Sequence, residues 1–233
     1  MKSEELVAIA AGISVGLAVL AILTLWERRR AAAFRAAAAT IGGSSLDPGD
    51  PALARVARRV FDWSSPSTFR ARAAVGLEIG GRHYPCQFAD LTKHRSKMRG
   101  AVLLELPWKD LPQLEVQRHV ERSPVRDFLF GKDFDGVIIP TDGLDPGWEI
   151  KCASLRVGQD LIQPSIVSHI NALLKSYAIW DFRIHHDQLL VVFTDPLRPD
   201  QLPAIGAWML ELHRRWAVVP PRESPREPGG EIG

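Results

Sequence analysis

The sequence predicts an α+β protein in which one N-terminal transmembrane helix precedes a soluble domain with a largely antiparallel sheet and packed helices. Three observations predict it. Residues 6–26 contain no ionisable side chain. Several apolar stretches are joined by short turn-rich connections, which favour hairpins over parallel crossovers. Helical periodicity returns over 164–177 and 200–216.

The first element is the anchor. Its 21 residues, LVAIAAGISVGLAVLAILTLW, at ~1.5 Å rise each span a hydrocarbon core of ~30 Å. A cleaved signal peptide needs a positive leading region and a shorter apolar run. Here Lys2 faces Glu4 and Glu5, and the run is longer, so the segment is expected to stay in the mature protein. Arg28, Arg29, Arg30 and Arg35 follow the span while only Lys2 precedes it. The positive-inside bias therefore predicts an N-terminus outside and a cytoplasmic domain, in a bacterial inner membrane. Trp26, Arg28, Arg29 and Arg30 stand where membrane-interface residues belong. Ala8, Gly12 and Gly16 recur every four positions. Such a stripe lets a second backbone approach closely, so helix packing against other transmembrane helices is expected through it.

The helix should continue through the alanines to Thr40 and stop at Gly42-Gly43. After a turn-rich linker, a basic amphipathic helix is expected from Pro51. Leu53, Val56 and Val60 lie on one face, with Arg55, Arg58 and Arg59 on the other. The three arginines fit either anionic lipid headgroups or a solvated face. This gives an anchor over 1–26, a juxtamembrane helix, linker and basic helix over 27–68, and an α+β domain over 69–217. Residues 218–233, rich in proline, glycine and charge, are expected to be disordered or partner-bound.

Within the domain, 69–79 and 82–91 read as strands joined at Gly80-Gly81, a dipeptide suited to tight turns. Further strands are expected over 101–106, 113–120, 134–139 and 148–155. Ser123-Pro124 opens a short helix to Phe130. Helix 164–177 directs Ile166, Ile170, Leu173 and Leu174 inward. A hairpin pairs 182–184 with 189–193 around His185-His186-Asp187-Gln188. The last helix faces Leu202, Ile205, Met209 and Leu212 to the core.

Composition allows a packed core, with 46% apolar and 24% charged residues. A net charge of +2 gives no bulk attraction to nucleic acid, and no nucleic-acid partner is expected. Cys86 and Cys152 form no metal or redox spacing, and so low a cysteine count leans towards a reducing compartment.

The sequence offers no catalytic constellation. His185 and His186 are adjacent strand residues that point to opposite faces unless a turn intervenes. Asp133 and Asp135 begin an alternation that Val137, Ile138, Ile139 and Pro140 end, which fits a surface loop better than a calcium loop. The nucleophile elbow, the H-E-x-x-H motif, paired C-x-x-C motifs and the phosphate loop are all missing. The basic run Lys93, His94, Arg95, Lys97 and Arg99 fits phosphate or lipid, or simply a solvated loop. No catalytic residue, metal ligand or cofactor is expected, and no enzyme.

Several stretches carry a resemblance: Trp26-Glu27-Arg28-Arg29-Arg30 with the alanines after it, FRARAAVGLEIGGRHYPCQFADL, AVLLELP with LPQLEV, KDFDG, and FRIHHDQLLVVFTDPLRPDQLPAIGAWMLEL. With them the chain resembles a group of uncharacterised bacterial single-pass membrane-anchored proteins. These have a transmembrane segment, an Arg/Ala-rich stalk and a small α+β domain. The likeness covers roughly residues 6–216. It departs at Asp142–Trp148, where the group has an aromatic-Asn pair as the strand begins. The resemblance implies an architecture and no activity.

The function expected is that of a non-enzymatic accessory or structural subunit of a larger membrane complex, whether respiratory, photosynthetic or transport. Two alternatives stand beside it: a membrane-tethered ligand-binding or enzymatic domain with a composite site, and a lipid-surface module.

Overall fold

A computed structural model describes residues 3–42, 67–79, 82–93, 98–118 and 134–217. The expected basic helix with Arg55, Arg58 and Arg59, the Gly80-Gly81 turn, residues 94–97, the helix after Ser123 and the tail from 218 lie outside them.

One uninterrupted helix, α1 (Ser3–Ala39), carries the apolar run and the stalk together. It ends in a turn at Gly42, whose φ of 74° suits a residue without a Cβ. From Ala11 to Trp26 every residue is exposed. In this stretch the Thr24 hydroxyl donates to the Leu20 carbonyl at 2.8 Å, so that hydroxyl is satisfied within the helix itself. Eight large aliphatic side chains from Ile13 to Leu25 stand open. At ~1.5–3 kcal/mol for each one fully buried, moving them into an apolar phase favours that phase by on the order of 10 kcal/mol. The helix is long and apolar enough to cross a membrane.

Past Trp26 the pattern changes. Glu27, Arg30, Ala31, Phe34, Ala37, Ala38 and Ile41 form an inward stripe at helical spacing, and Arg28, Arg29 and Arg35 stay exposed. Phe34 and Ala38 belong to the same core as the strands. The stalk that the sequence separates from the domain is thus part of its packing.

The strands are β1 (Ser67–Ile79), β2 (Arg82–Lys93), β3 (Arg99–Glu105), β4 (Leu111–Arg118), β5 (Val137–Ile138), β6 (Trp148–Cys152), β7 (Ile179–His186) and β8 (Gln188–Phe193). They form one antiparallel sheet in the order β1-β2-β3-β8-β7-β4-β6-β5. The α+β class expected from the sequence is the one observed. The C-terminal hairpin fills the middle, between a β1–β3 meander and the β4, β6, β5 group.

Helices α2 (Leu155–Leu161), α3 (Pro164–Ser176) and α4 (Leu202–Ala217), the last entered through a 3-10 turn (Pro199–Gln201), complete the described elements. Helix α3 buries Ile166, Val167, Ile170 and Leu173, and α4 buries Leu202, Ile205, Met209, Leu212 and Trp216. Alternation places Cys86, Phe88, Val102, Leu104, Leu114, Val116, Phe182, Ile184, Leu189 and Val191 in the core with them. His169 and Trp208 fix α3 to α4: their rings stack at 4.6 Å, and each ring nitrogen bonds the other residue's carbonyl at 2.9 Å. The buried Trp216 indole donates to the Leu161 carbonyl at 3.0 Å, tying α4 to the end of α2. On the opposite face Leu91, Ala101, Leu103, Leu190 and Val192 make a second buried cluster.

Three local readings are corrected. The strand expected over 134–139 shortens to Val137–Ile138, since Ile139 leaves the ladder for the main core. The strand expected to reach Leu155 ends at Cys152. There Ser154 caps α2 by accepting from the Val157 amide at 3.4 Å. The last hairpin is longer and its turn tighter than expected: His185 pairs with Gln188, and His186 takes a φ of 56°.

Candidate membrane-docking site

The residues that tie α1 to the domain converge on one carboxylate. Asp90 lies near the end of β2, on the face that α1 covers, and its side chain is 4% exposed. The Arg72 guanidinium of β1 donates to one oxygen at 2.7 Å. Arg30 of α1 donates to the other at 3.0 Å and to the Leu197 carbonyl at 2.9 Å. Arg72 also lies 3.6 Å from Glu27, one turn up the helix. The Arg30 guanidinium is further flanked by the rings of Trp26 at 5.7 Å and Phe34 at 5.0 Å.

Two cations on one carboxylate beside a second acid make an alternating cluster, and this arrangement is what allows arginines to be buried. It also sets the register of the helix on the sheet, because Arg30 is the arginine on the stripe of α1 that packs inward, while Arg28 and Arg29 stay exposed. Farther along, Ile41 approaches so closely that a Cβ added to Gly206 of α4 would sit 2.9 Å from its Cδ1. The helix is held at both ends of its docked part.

The interface residues expected from the sequence divide. Trp26, Arg28 and Arg29 are exposed as they leave the apolar run. Arg30 turns into the domain and meets Asp90 instead of solvent. Gly12 and Gly16 lie on the open part of α1, and a Cβ added to either meets no atom within 4 Å. The backbone of Ala8 is helical with them. Sequence reasoning missed Asp90, Arg72 and Glu27; the signal available was a lone acid, Asp90, in an otherwise apolar stretch of β2.

A second exposed group lies at the same end of the sheet. The ends of β2 and β8 and the starts of β3 and β7 coincide there, since Leu91 pairs with Arg99 and Phe193 with Ile179. Arg99 stacks over the Trp180 ring at 3.6 Å. Trp180 is 60% exposed. Arg198, beside the Leu197 carbonyl that Arg30 holds, is exposed and 3.3 Å from Asp200.

Among the described residues the histidines do not assemble a site. His185 and His186 lie side by side with ring centroids 4.1 Å apart, which the positive φ of His186 permits. Among the described residues no group of three or more His, Cys, Asp or Glu side chains is placed to hold a metal ion. His213 of α4 is wholly buried against Tyr84, ring centroids 4.1 Å apart, and burial lowers its pKa to about 4. Burial likewise pushes the Cys86 thiol up to about 12, so it is no nucleophile at neutral pH.

No family model and no curated protein matches the chain. Among solved structures it is similar to the crystal structure of the mycobacterial trehalose monomycolate transport factor A, TtfA. The TM-score is 0.51 at 12% identity, over 84% of this chain and 99% of that one. At that identity the similarity is one of fold: the chain shares the architecture of a transport factor.

Proposed function

We propose that this chain is a membrane-anchored, non-enzymatic accessory subunit of a larger bacterial membrane complex, of the transport kind. Helix α1 crosses the inner membrane with its N-terminus outside. Its Ala8, Gly12 and Gly16 face packs against other transmembrane helices, and the domain meets the complex at the cytoplasmic face. The observation that carries the reading is the continuity of α1, an apolar helix open on every side that becomes a core helix of the domain without a break. Such a piece passes position rigidly from lipid to the domain, which suits an assembly factor better than a loosely tethered enzyme. The arginine bias after the span supports the orientation. The fold shared with a protein named as a transport factor supports transport over the respiratory and photosynthetic alternatives.

Purification of the full chain from its native membrane in mild detergent tests this. Stoichiometric membrane partners are expected, and Gly12→Leu with Gly16→Leu should lose them while the domain stays folded. Recovery of the wild type only as a lone monomer refutes it.

A further inference from the structure

We infer that the end of the sheet carrying Arg99, Trp180 and Arg198 rests on the anionic headgroup surface of the membrane that α1 crosses, forming a second foot beside the helix. The inference builds on the reading that α1 spans the bilayer.

The geometry follows from the Asp90 clamp. Arg30 lies four residues beyond Trp26, a descent of ~6 Å along the helix, and side chains on a helix lean back towards its N-terminus. Asp90, which Arg30 holds, is therefore near the level of the membrane boundary. The direction of β2 follows from its other contact. Phe88 lies by Gly206, where Ile41 docks, and Ile41 is the far end of the stalk. Passing from Phe88 to Asp90 along β2 thus moves towards the bilayer, and Leu91 and its partner Arg99 lie ~3 Å further on.

Neighbouring strands carry that level sideways. Gly100 donates to the Asp195 carbonyl at 2.9 Å, and Arg198 follows the Leu197 carbonyl that Arg30 grips. Trp180 reaches the same level through Arg99. From β1, beside α1, to β7 is four strand spacings, ~19 Å. Two supports that far apart restrain tilt, which a single helix does not.

The chemistry fits one occupant. An exposed tryptophan stacked on an arginine presents an amphipathic ring and a cation together, as residues at the headgroup level do. Arg198 adds a cation whose partner, Asp200, is an exposed surface acid in a weak pair. Arg28 and Arg29 face outward at the same depth on α1. Carboxylates occur there too: Asp195 and Asp200 near Arg198, and Glu27, 44% exposed beside Arg72, while Asp90 is buried between its two arginines and Arg28, Arg29, Arg99 and Arg198 outnumber the three outward acids. The outward balance stays cationic, and phospholipid phosphates complement it.

The test uses the full chain reconstituted in vesicles of equal parts phosphatidylcholine and phosphatidylglycerol, with the phosphatidylcholine brominated near the headgroup end of its acyl chains. The Trp180 emission is the difference between wild type and Trp180→Phe, and the Trp26 emission the difference from Trp26→Phe. Trp180 is expected to lose about half its emission to bromine, and Arg99→Gln with Arg198→Gln should restore most of it. Arg198→Gln alone changes only an exposed side chain and should restore part of it. Quenching of Trp26 without Trp180 overturns the second foot and leaves the spanning helix standing. Quenching of neither overturns both. Equal quenching of Trp180 in vesicles of phosphatidylcholine alone, half of it brominated, overturns the recognition of anionic lipid.

Discussion

Replacing Asp90 with asparagine tests the clamp between α1 and the domain. The side chains of Asp90, Arg72 and Arg30 are 4%, 6% and 13% exposed, so the substitution removes the carboxylate that bridges the two guanidinium groups. Breaking a buried pair by removing one partner costs ~3–5 kcal/mol. Here two features offset part of that. The asparagine oxygen still accepts one bond, and Glu27 remains 3.6 Å from Arg72. The lower end, ~3 kcal/mol, is therefore expected. At ~2–4 °C per kcal/mol for a domain of this size, the melting temperature should fall by ~6–12 °C. Tryptophan fluorescence of the detergent-solubilised full chain reads it, because α1 itself stays helical in detergent. Adding Arg30→Met to Asp90→Asn removes one stranded charge and should recover part of the loss. A variant melting within ~1 °C of wild type would show that Asp90 is solvated and would refute the clamp.

Three further outcomes follow from other sites. Burial holds the His213 pKa at about 4 against an ordinary 6.5, so between those values the unfolded chain takes up a proton that the folded chain refuses. Stability should fall as pH drops from ~6.5 to ~4, by up to ~3 kcal/mol from this group. Urea melts of His213→Phe should lose less than wild type over that range, and parallel pH curves would refute the assignment. Gly100→Ala would place a Cβ 2.6 Å from the Leu197 amide, costing ~1–3 kcal/mol and loosening the carbonyl that Arg30 holds. A thermal melt unchanged from wild type would contradict that. Cys86 and Cys152 are both fully buried. Neither should react with Ellman's reagent in the native protein and both should react in urea.

Helices α1, α3 and α4 were legible in the sequence because their evidence is local. The uncharged run, the small helix-ending glycines and the apolar stripes of α3 and α4 each lie within one segment. Strands β1 to β4 were also legible, to within two residues at most ends, from apolar stretches set off by turn residues. Strand order was not legible, since nothing in β8 specifies β3 as its neighbour except the complementary packing of Leu189 and Val191 with Val102 and Leu104. Helix α2 hid because it spans only seven residues, and its Ser154 cap resembles any loop serine. The clamp was the least legible feature. Arg30 read as one of three adjacent interface arginines, and only the register of α1 on β2, 60 residues later, separates it from Arg28 and Arg29.

The central place of the β7–β8 hairpin has a consequence during synthesis. The N-terminal meander and the β4, β6 group leave the ribosome as two partial sheets, each with an unsatisfied edge where the hairpin will enter. Neither can close until residues 179–193 emerge, long after α1 has left the ribosome. Folding is thus vectorial, and the last strands act as a keystone whose non-local pairings make closure the slow step.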